Sequence, residues 1–388
     1  MKNKTLIKYC VRCALPSTKP DLFIDDEGVC NACRNYENRK SVDWDRRLEE
    51  LKVVLEKYRC KDHSNYDCII PVSGGKDSHY QALRMLECGM NPLCVTATTC
   101  DLSPIGRKNI ESLKNLGVDY IEYTTNPIVR RKLNRIGLMQ VGDISWPEHV
   151  SIFTIPFRIS VQMNIPLIIW GENAQNEYGG PSQAVQSKVL DRRWLEEFGG
   201  MLGLRVSDLV GLEGLRPRDL VPFTYPSGDD LERVGVTGIY LGYYYAWDSL
   251  TNVIMGQAHG FTTYDKIIEG SACNYENLDN HQTGIHDYFK FLKFGFGRAT
   301  DIASHHCRRG RLTRQDALNV IRMHDGKFPW TYLGKPLADI LKPLEISVDE
   351  FIKICDRFTN KKIFVTDARG NLVKDKDGNL TKILYDNP

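Results

Sequence analysis

The chain has 388 residues, enough for two or three domains, and its 51 basic and 49 acidic side chains leave it close to neutral. No apolar stretch approaches the ~20 residues of a membrane-spanning helix, and no apolar segment follows the basic N-terminus as in a signal peptide. The balanced charge argues against an extended nucleic-acid interface. Twelve cysteines without a signal peptide favour reduced thiols and metal binding over disulfides, so we expect a cytosolic protein.

Two C-x-x-C pairs define a predicted first domain over residues 1–40. The four cysteines are Cys10, Cys13, Cys30 and Cys33. Their spacing is typical of a zinc ribbon or knuckle, in which four thiolates complete a tetrahedron around Zn²⁺ and leave no open position. We therefore predict a structural zinc ion. An iron–sulfur cluster and four unrelated buried cysteines are the alternatives. Between the pairs, residues 23–29 are predicted to form a strand that leads into a tight turn.

A glycine-rich run follows the next predicted elements, an amphipathic helix from Val42 to Tyr58 and a buried strand from Asp67 to Val72. Its sequence is Ser73-Gly74-Gly75-Lys76-Asp77-Ser78, and a helical pattern comes directly after it. A strand, a glycine turn and a helix N-terminus together form an anion site, because unpaired N–H groups point at the ligand and the helix dipole favours negative charge. The run lacks the G-x-x-x-x-G-K-[ST] spacing of a Walker A loop. We predict a nucleotide site here, with a plain strand–helix turn as the alternative.

Strands and helices then alternate along the chain. Strands are predicted over residues 91–97, 119–123 and 166–171, and helices over residues 107–116, 129–138 and 150–163. This alternation predicts an α/β fold with a doubly wound parallel sheet, within a domain over residues 41–245. The last of these strands ends at Gly171 and runs into a polar segment that reaches Glu177. The carboxyl end of such a strand is where ligands bind in this class of fold.

The domain over residues 41–245 is predicted to include an insertion, and residues 246–388 are predicted to form a largely helical region that ends in a β-hairpin. Residues 178–238 have poor periodicity and many glycines and prolines, which favours an insertion that covers the substrate. Helices are predicted over residues 187–198, 206–212, 288–294, 315–324 and 348–358, a strand over residues 239–245 and a β-hairpin over residues 363–373. The aromatic side chains of the strand predicted over residues 239–245 are expected to pack in the core, or to stack on a base or sugar. Lys293 and Arg298 flank two glycines and are candidates for phosphate contact, with incidental surface charge as the alternative.

The run Ser73–Ser78 resembles the pyrophosphate loop of the ATP-pyrophosphatase (PP-loop) superfamily. Taken in order, the four-cysteine motif, this loop, the segment 171–180 and the segment 294–301 are similar to the N-acetyl sugar amidotransferase family. Members of that family act in bacterial surface-polysaccharide, O-antigen and flagellin-glycan biosynthesis. They convert an acetamido group, on a nucleotide sugar or a nonulosonic acid such as pseudaminic acid, into an acetamidino group. The resemblance implies that ATP adenylates the amide oxygen with release of pyrophosphate, after which ammonia displaces AMP.

The resemblance also implies roles for particular residues. The loop would hold the β,γ-pyrophosphate of ATP, and Lys76 with Mg²⁺ would stabilise the departing charge. Asp77 and Glu177 would hold the Mg²⁺, although a solvated loop carboxylate is an equal alternative for Glu177. Thr96 would lie near the adenine. Residues that would contact ribose or substrate are Gly171 and Asn173.

The sequence contains no glutaminase nucleophile motif. We therefore expect a separate class I glutaminase subunit to supply ammonia, as the resemblance also implies. A PP-loop tRNA sulfurtransferase is the alternative enzyme, and the near-neutral charge and lack of an obvious catalytic cysteine argue against it. A non-catalytic nucleotide-binding or zinc scaffold is the alternative from another class, and the intact loop argues against that.

Overall fold

The computed structural model describes residues 7–172 and 203–383. Five parallel strands form the main sheet, in the order β3-β2-β1-β4-β5. They are β1 (Cys68–Pro71), β2 (Pro92–Ala97), β3 (Asp119–Tyr123), β4 (Leu167–Trp170) and β5 (Thr237–Tyr240). The helices described before β5 are α1 (Asn31–Asn38), α2 (Trp44–Tyr58), α3 (Lys76–Glu87), α4 (Pro104–Lys114), α5 (Pro127–Val141), α6 (Trp146–Met163) and α7 (Gly228–Val234). The predicted α/β fold with a parallel sheet is confirmed.

Both faces of the sheet are buried under helices, which explains the continuous apolar runs of its strands. In β1, Cys68 and Ile70 point to the face that packs against Met85 of α3. Ile69 lies between them and points to the opposite face, against Ile155 of α6. Because side chains alternate along a strand, these neighbouring residues enter two different cores. The sheet is therefore doubly wound, as the alternation of elements predicts.

The strand order places a crevice beside β1. The chain moves from β1 outward to β2 and β3, and it then returns to β4 on the other side of β1. β1 and β4 are paired directly, with Ile69 opposite Ile168. The carboxyl ends of these two parallel strands lie at the same edge of the sheet, at the point where the strand order reverses, which is where open α/β folds bind ligands. The glycine-rich run and Gly171 both lie at this edge.

The C-terminal region is largely helical, as predicted. After β5 the structure has helices α8 (Leu241–Tyr244), α9 (Ser249–Ala258), α10 (Thr283–Phe294), α11 (Arg298–Arg308), α12 (Arg314–His324), α13 (Leu337–Leu341) and α14 (Val348–Phe358), and the two-stranded hairpin β6 (Thr331–Tyr332) and β7 (Lys335–Pro336). A separate apolar core includes Phe289, Phe351 and Phe364. Among the described helices, none is long and apolar enough to cross a membrane.

The described half of the predicted insertion packs on the sheet domain. Leu204, Leu209 and Phe223 join Leu133 of α5 and Trp146 of α6 in one apolar cluster. The predicted helix over residues 187–198 lies outside the described residues. Over residues 206–212 the structure has a short 3₁₀ helix, Val206–Leu209, where a longer helix was expected.

The aromatic run after residue 239 differs from its prediction. The strand ends at Tyr240, and the next residues form α8. The Gly242 N–H donates to the Gly171 carbonyl oxygen at 3.0 Å, which turns the chain across the end of β4. Tyr244 is buried in the sheet core. The run therefore provides core packing, and the strand prediction is wrong beyond Tyr240.

Two other strand predictions are also too long. The segment 23–29 contributes one isolated bridge, between Ile24 and Cys30, and its predicted turn is closed by the Gly28 N–H donating to the Asp25 carbonyl oxygen at 2.9 Å. The predicted hairpin over residues 363–373 keeps its turn but is shorter, pairing residues 365–367 with 371–373 through the bridge between Thr366 and Leu372 and hydrogen bonds of 2.8 and 3.0 Å on either side of it. Residue 364 pairs instead with residue 382, further along the chain, so sequence neighbours are not strand partners there.

Candidate active site

The glycine-rich run forms a tight loop between β1 and α3. Gly74 has φ +85°, and a Cβ built there would lie 2.9 Å from the backbone nitrogen of Ile110. Only glycine fits this conformation and this contact. Gly75 is the N-cap of α3 and offers no side-chain cap, so the first N–H groups of the helix stay open to a ligand. The Ser73 N–H donates to the Ser78 hydroxyl at 3.0 Å, which closes the loop.

Lys76 lies in the first turn of α3 between two carboxylates. Its ammonium is 2.6 Å from an Asp77 oxygen and 3.1 Å from a Glu276 oxygen, and the residue is 5% exposed. Burial alone lowers the pKa of Lys76, but the charges of Asp77 and Glu276 outweigh it, so the pKa is raised and the ammonium stays charged. The other Asp77 oxygen accepts from the Asn252 amide at 2.7 Å. The loop lysine is thus held in place by the C-terminal region.

Two adjoining cavities open from the loop. The first, which we call the loop cavity, has a volume of about 100 Å³ and is lined by the loop, by Gly106 and Asn109 of α4, and by residues 275–279. The second, the strand-end cavity, has a volume of about 250 Å³ and lies at the carboxyl ends of β1, β2 and β4. Four residues line both cavities: Ser73, Asp77, Ser78 and Asp279. A ligand that filled both would have one end on the loop and the other over the sheet edge.

Thr96 and Gly171, two of the predicted ligand-binding residues, line the strand-end cavity. The Thr96 hydroxyl is 2.6 Å from the Val72 carbonyl oxygen and donates to it, so it is used within the sheet. A Cβ at Gly171 would lie 3.1 Å from the Trp247 ring and 3.2 Å from the Gln81 side-chain oxygen, which leaves little space for another residue. The structure thus brings these two predicted residues to the same cavity as the loop. Asn173 and Glu177 lie outside the described residues.

Lys293 and Arg298 lie elsewhere. The Lys293 ammonium donates to the carbonyl oxygens of Val141 and Gly142 at 2.7 and 3.0 Å, at the end of α5. Arg298 makes a two-pronged pair with Asp287, at 2.9 and 3.1 Å, and lines a different cavity of about 220 Å³ in the C-terminal region. Neither side chain lines the loop cavity or the strand-end cavity. The structure therefore does not bring these two predicted phosphate ligands to the loop.

Three acidic residues at the site were not predicted. Glu276 pairs with Lys76, and Asp279 lines both cavities. Burial raises the pKa of the Asp279 carboxyl to about 6. Glu172, the residue after Gly171, adds to the negative charge that raises the pKa of Lys76. The polar run Asn-Tyr-Glu-Asn-Leu-Asp-Asn over residues 274–280 is the sequence signal that identifies the first two.

The four-cysteine cluster, Cys10, Cys13, Cys30 and Cys33, is assembled as predicted for one ion. Its sulfur atoms all lie within 4.8 Å of one another, with 3.8 Å between Cys10 and Cys33 and 3.7 Å between Cys13 and Cys30. A tetrahedral Zn²⁺ with bonds of about 2.3 Å requires sulfur separations of about 3.8 Å. A disulfide would require about 2.05 Å. Hydrogen bonds from the other three thiols lower the pKa of Cys10. The donor set fits zinc.

Comparison with known proteins gives one family match. Residues 259–375 match the family described as the C-terminal domain of WbpG-like LPS biosynthesis proteins. This part of the chain includes Glu276 and Asp279 and is similar to a domain of lipopolysaccharide biosynthesis. No curated protein matches the chain.

Among solved structures, the chain is similar to an NMN synthetase from Francisella tularensis. The two share 16% sequence identity, and the alignment covers 50% of this chain and 92% of that one, with a TM-score of 0.28. A superposition this weak does not bear on function.

Proposed function

We propose that the chain is an ATP-dependent, AMP-forming amidotransferase that converts the acetamido group of a sugar into an acetamidino group. The observation that carries the proposal is the glycine loop at the strand-order crevice, with Lys76 buried beside it and two adjoining cavities open to it. The loop cavity suits a pyrophosphate group and the larger strand-end cavity suits a nucleoside. The family match of residues 259–375 supports a role in surface-polysaccharide biosynthesis.

The reaction has two steps. The amide oxygen of the sugar attacks the α-phosphorus of ATP, the bond from that phosphorus to the bridging oxygen breaks, and pyrophosphate leaves. Ammonia then forms a bond to the imidate carbon, the carbon–oxygen bond breaks, AMP leaves, and the added nitrogen loses a proton. No side chain acts as a nucleophile in this scheme. Catalysis depends on position and on electrostatic stabilisation of the leaving groups.

The described residues suit the first step. The open N–H groups of α3 and the Lys76 ammonium would face the departing pyrophosphate. Among the described residues that line the loop cavity, Lys76 is the only cation, whereas Asp77, Glu276 and Asp279 are acidic. A triphosphate would therefore meet net negative charge unless a divalent cation came with it. Carboxylate oxygens suit Mg²⁺, and Asp77, together with the predicted ligand Glu177, would hold one whose charge offsets that of the phosphates.

We further propose that the four-cysteine cluster binds a structural zinc ion and that ammonia comes from a separate glutaminase subunit. The zinc proposal is supported by the sulfur spacing. The glutaminase proposal rests on the sequence, in which no glutaminase motif is found. The tRNA sulfurtransferase alternative gains no support, because no cysteine lies among the described residues that line either cavity.

The test is pyrophosphate release from MgATP in the presence of ammonium, across a panel of acetamido nucleotide sugars and nonulosonic acids. Mass spectrometry would follow the product, which should be lighter than the substrate by the difference between O and NH. We expect sugar-dependent release together with that mass change. Glutamine should replace ammonium only when a glutaminase is added. Release stimulated by bulk tRNA and by no sugar would contradict the proposal and favour the sulfurtransferase.

A matched pair of variants isolates the role of the loop lysine. Lys76→Gln removes the buried ammonium, and Lys52→Gln removes an exposed one whose ion pair is with Glu49. We expect Lys76→Gln to lose 10²-fold or more of the release rate, a magnitude typical of one lost electrostatic contact to a leaving group. Lys52→Gln should match the wild type. Equal rates in the two variants would exclude Lys76 from catalysis.

A further inference from the structure

A second group of metal-binding side chains lies outside the candidate active site. Asp143 is in the loop between α5 and α6, His149 is in the first turns of α6, and His286 is in α10. The Asp143 carboxylate holds one imidazole on each oxygen, with 2.9 Å to the Nδ1 atom of His149 and 2.9 Å to that of His286. One ligand atom from each residue lies within 4.8 Å of the other two. Three separate elements therefore converge on one point.

The carboxylate at the centre of this group is buried and needs a positive partner. Asp143 is 2% exposed, and an uncompensated buried carboxylate is costly. Neither nearby cation makes a direct ion pair with Asp143, since Lys293 donates to the carbonyl oxygens of residues 141 and 142 and Arg130 pairs with Glu148 at 2.8 Å. Neutral imidazoles supply hydrogen bonds but no charge. A protonated histidine or a bound cation would give Asp143 a direct positive partner.

The donor set favours a metal ion. Two imidazole nitrogens and one carboxylate oxygen are the three protein ligands of zinc sites that keep an open position, and they also suit other divalent transition metals. The two imidazole side chains are 29% and 28% exposed, so a fourth ligand can reach the site from solvent. The Ser145 N–H donates to Asp143 at 3.0 Å and fixes its orientation, as outer contacts do at metal sites.

We propose that Asp143, His149 and His286 form a second metal site, which binds a divalent transition-metal ion with Zn²⁺ as the probe. The site joins α6, which packs on the sheet, to α10, which lies in the region that matches the family model. Hydrogen bonds beside the site also link α6 to the start of α10: Glu148 accepts from the Asn134 amide at 2.8 Å, and that amide donates to the Gln282 side-chain oxygen at 3.3 Å. The ion would thus fasten α6 to α10 next to this link. This inference does not depend on the proposed function.

Metal content tests the site directly. The full chain would be equilibrated with buffered free Zn²⁺, separated from unbound metal by gel filtration, and analysed for zinc per chain. We expect His149→Gln and His286→Gln each to hold one equivalent less than the wild type. His259→Gln is the matched control, because His259 is exposed and lies outside the cluster, with its imidazole Nδ1 atom 2.9 Å from the Met255 carbonyl oxygen. Equal zinc content in His149→Gln and His259→Gln would overturn the proposal. Asp143, His149 and His286 would then be a hydrogen-bonded group without a metal ion.

Two further measurements keep the test independent of variant folding and of the four-cysteine cluster. X-ray absorption at the zinc edge of the wild-type protein should show nitrogen or oxygen neighbours as well as sulfur, and sulfur neighbours alone would refute the second site. In protein loaded with Co²⁺, the thiolate charge-transfer band should persist in His286→Gln while the weaker bands of a nitrogen- and oxygen-bound ion disappear. If His286→Gln left the Co²⁺ spectrum unchanged, the second metal site would likewise be refuted.

Discussion

Gly74 and Gly75 are adjacent in sequence, but the structure predicts opposite responses to the same substitution. Gly74 has φ +85°, and a Cβ there would lie 2.8 Å from the Ile110 side chain and 2.9 Å from the Ile110 backbone nitrogen. Gly75 has φ −70°, and the nearest atom of the described residues to a Cβ there would be the Ser73 hydroxyl oxygen, at 3.4 Å. Alanine therefore fits at Gly75 and does not fit at Gly74.

The expected costs follow from these contacts. For Gly74→Ala, the left-handed backbone costs about 1–2 kcal/mol, and the displaced backbone of α4 costs about 1–3 kcal/mol more. For Gly75→Ala, a poorer N-cap costs about 0.5–1 kcal/mol, and the reduced entropy of the unfolded chain returns a similar amount. We expect Gly74→Ala to be less stable by about 2–5 kcal/mol and Gly75→Ala to stay within about 1 kcal/mol of the wild type.

The assay compares the two variants by urea unfolding and by the binding of a fluorescent ATP analogue. Gly74→Ala should shift the loop away from α4 and weaken nucleotide binding at 20–25 °C, even where the protein remains folded. Gly75→Ala reports whether an added methyl group at the loop surface obstructs the ligand without disturbing the fold. If the two variants had the same unfolding free energy, the assignment of Gly74 as the constrained position would be refuted.

Three other outcomes are expected. Glu148→Gln should lower the unfolding free energy by about 3–5 kcal/mol, measured by urea denaturation, because it leaves the Arg130 charge buried at 2% exposure. Cys13→Ser should abolish the zinc binding proposed for the four-cysteine cluster, seen as one fewer equivalent by metal analysis, and lower the melting temperature, because a bound metal would order a segment too small for its own core. Burial raises the pKa of Asp279 to about 6, above the value of about 4 in the unfolded chain. Below pH ~4 the carboxyl is neutral in both states and burying it has no ionisation cost, but the folded protein loses stability as the pH rises from there through about 6. Asp279→Asn should therefore be more stable than the wild type at pH 8, by at most about 3 kcal/mol and by less to the extent that solvent reaches the cavity. If the difference in unfolding free energy between the two proteins were the same at pH 4 and pH 8, this prediction would be contradicted.

The loop and the sheet were predictable because local sequence specifies them. A short apolar strand, two glycines and a helical pattern fix a strand–turn–helix unit whatever the rest of the chain does. The four-cysteine cluster was predictable for a similar reason, since the spacing of the two C-x-x-C pairs is typical of a site for one metal ion. The strand predicted over residues 239–245 failed because residue type alone does not show where a strand stops. Its end is set by the bond from Gly242 to Gly171, which joins residues far apart in sequence.

The positions of charged residues were less predictable, because their partners lie on other elements. Lys293 and Arg298 have the charge expected of phosphate ligands, but the direction of a side chain depends on tertiary packing. Lys293 meets the unpaired carbonyl groups at the C-terminal end of α5, where a cation is favoured by the helix dipole. Arg298 finds Asp287, which offers two oxygens in the geometry that a guanidinium prefers.

The loop cavity depends on two parts of the chain that are distant in sequence. The sheet domain provides the glycine loop and Lys76, whereas residues 275–279 provide the opposite wall. Without that wall, Lys76 would keep Asp77 as a partner and lose Glu276. The side of the cavity formed by the glycine loop and Lys76 is predicted by a local sequence motif. The other side belongs to the region that matches the LPS biosynthesis family model, so, under the proposed function, contacts that select the sugar are expected on this wall. The glycine loop by itself therefore predicts a phosphate site. A substrate can be inferred only when the structure of the C-terminal wall is considered as well.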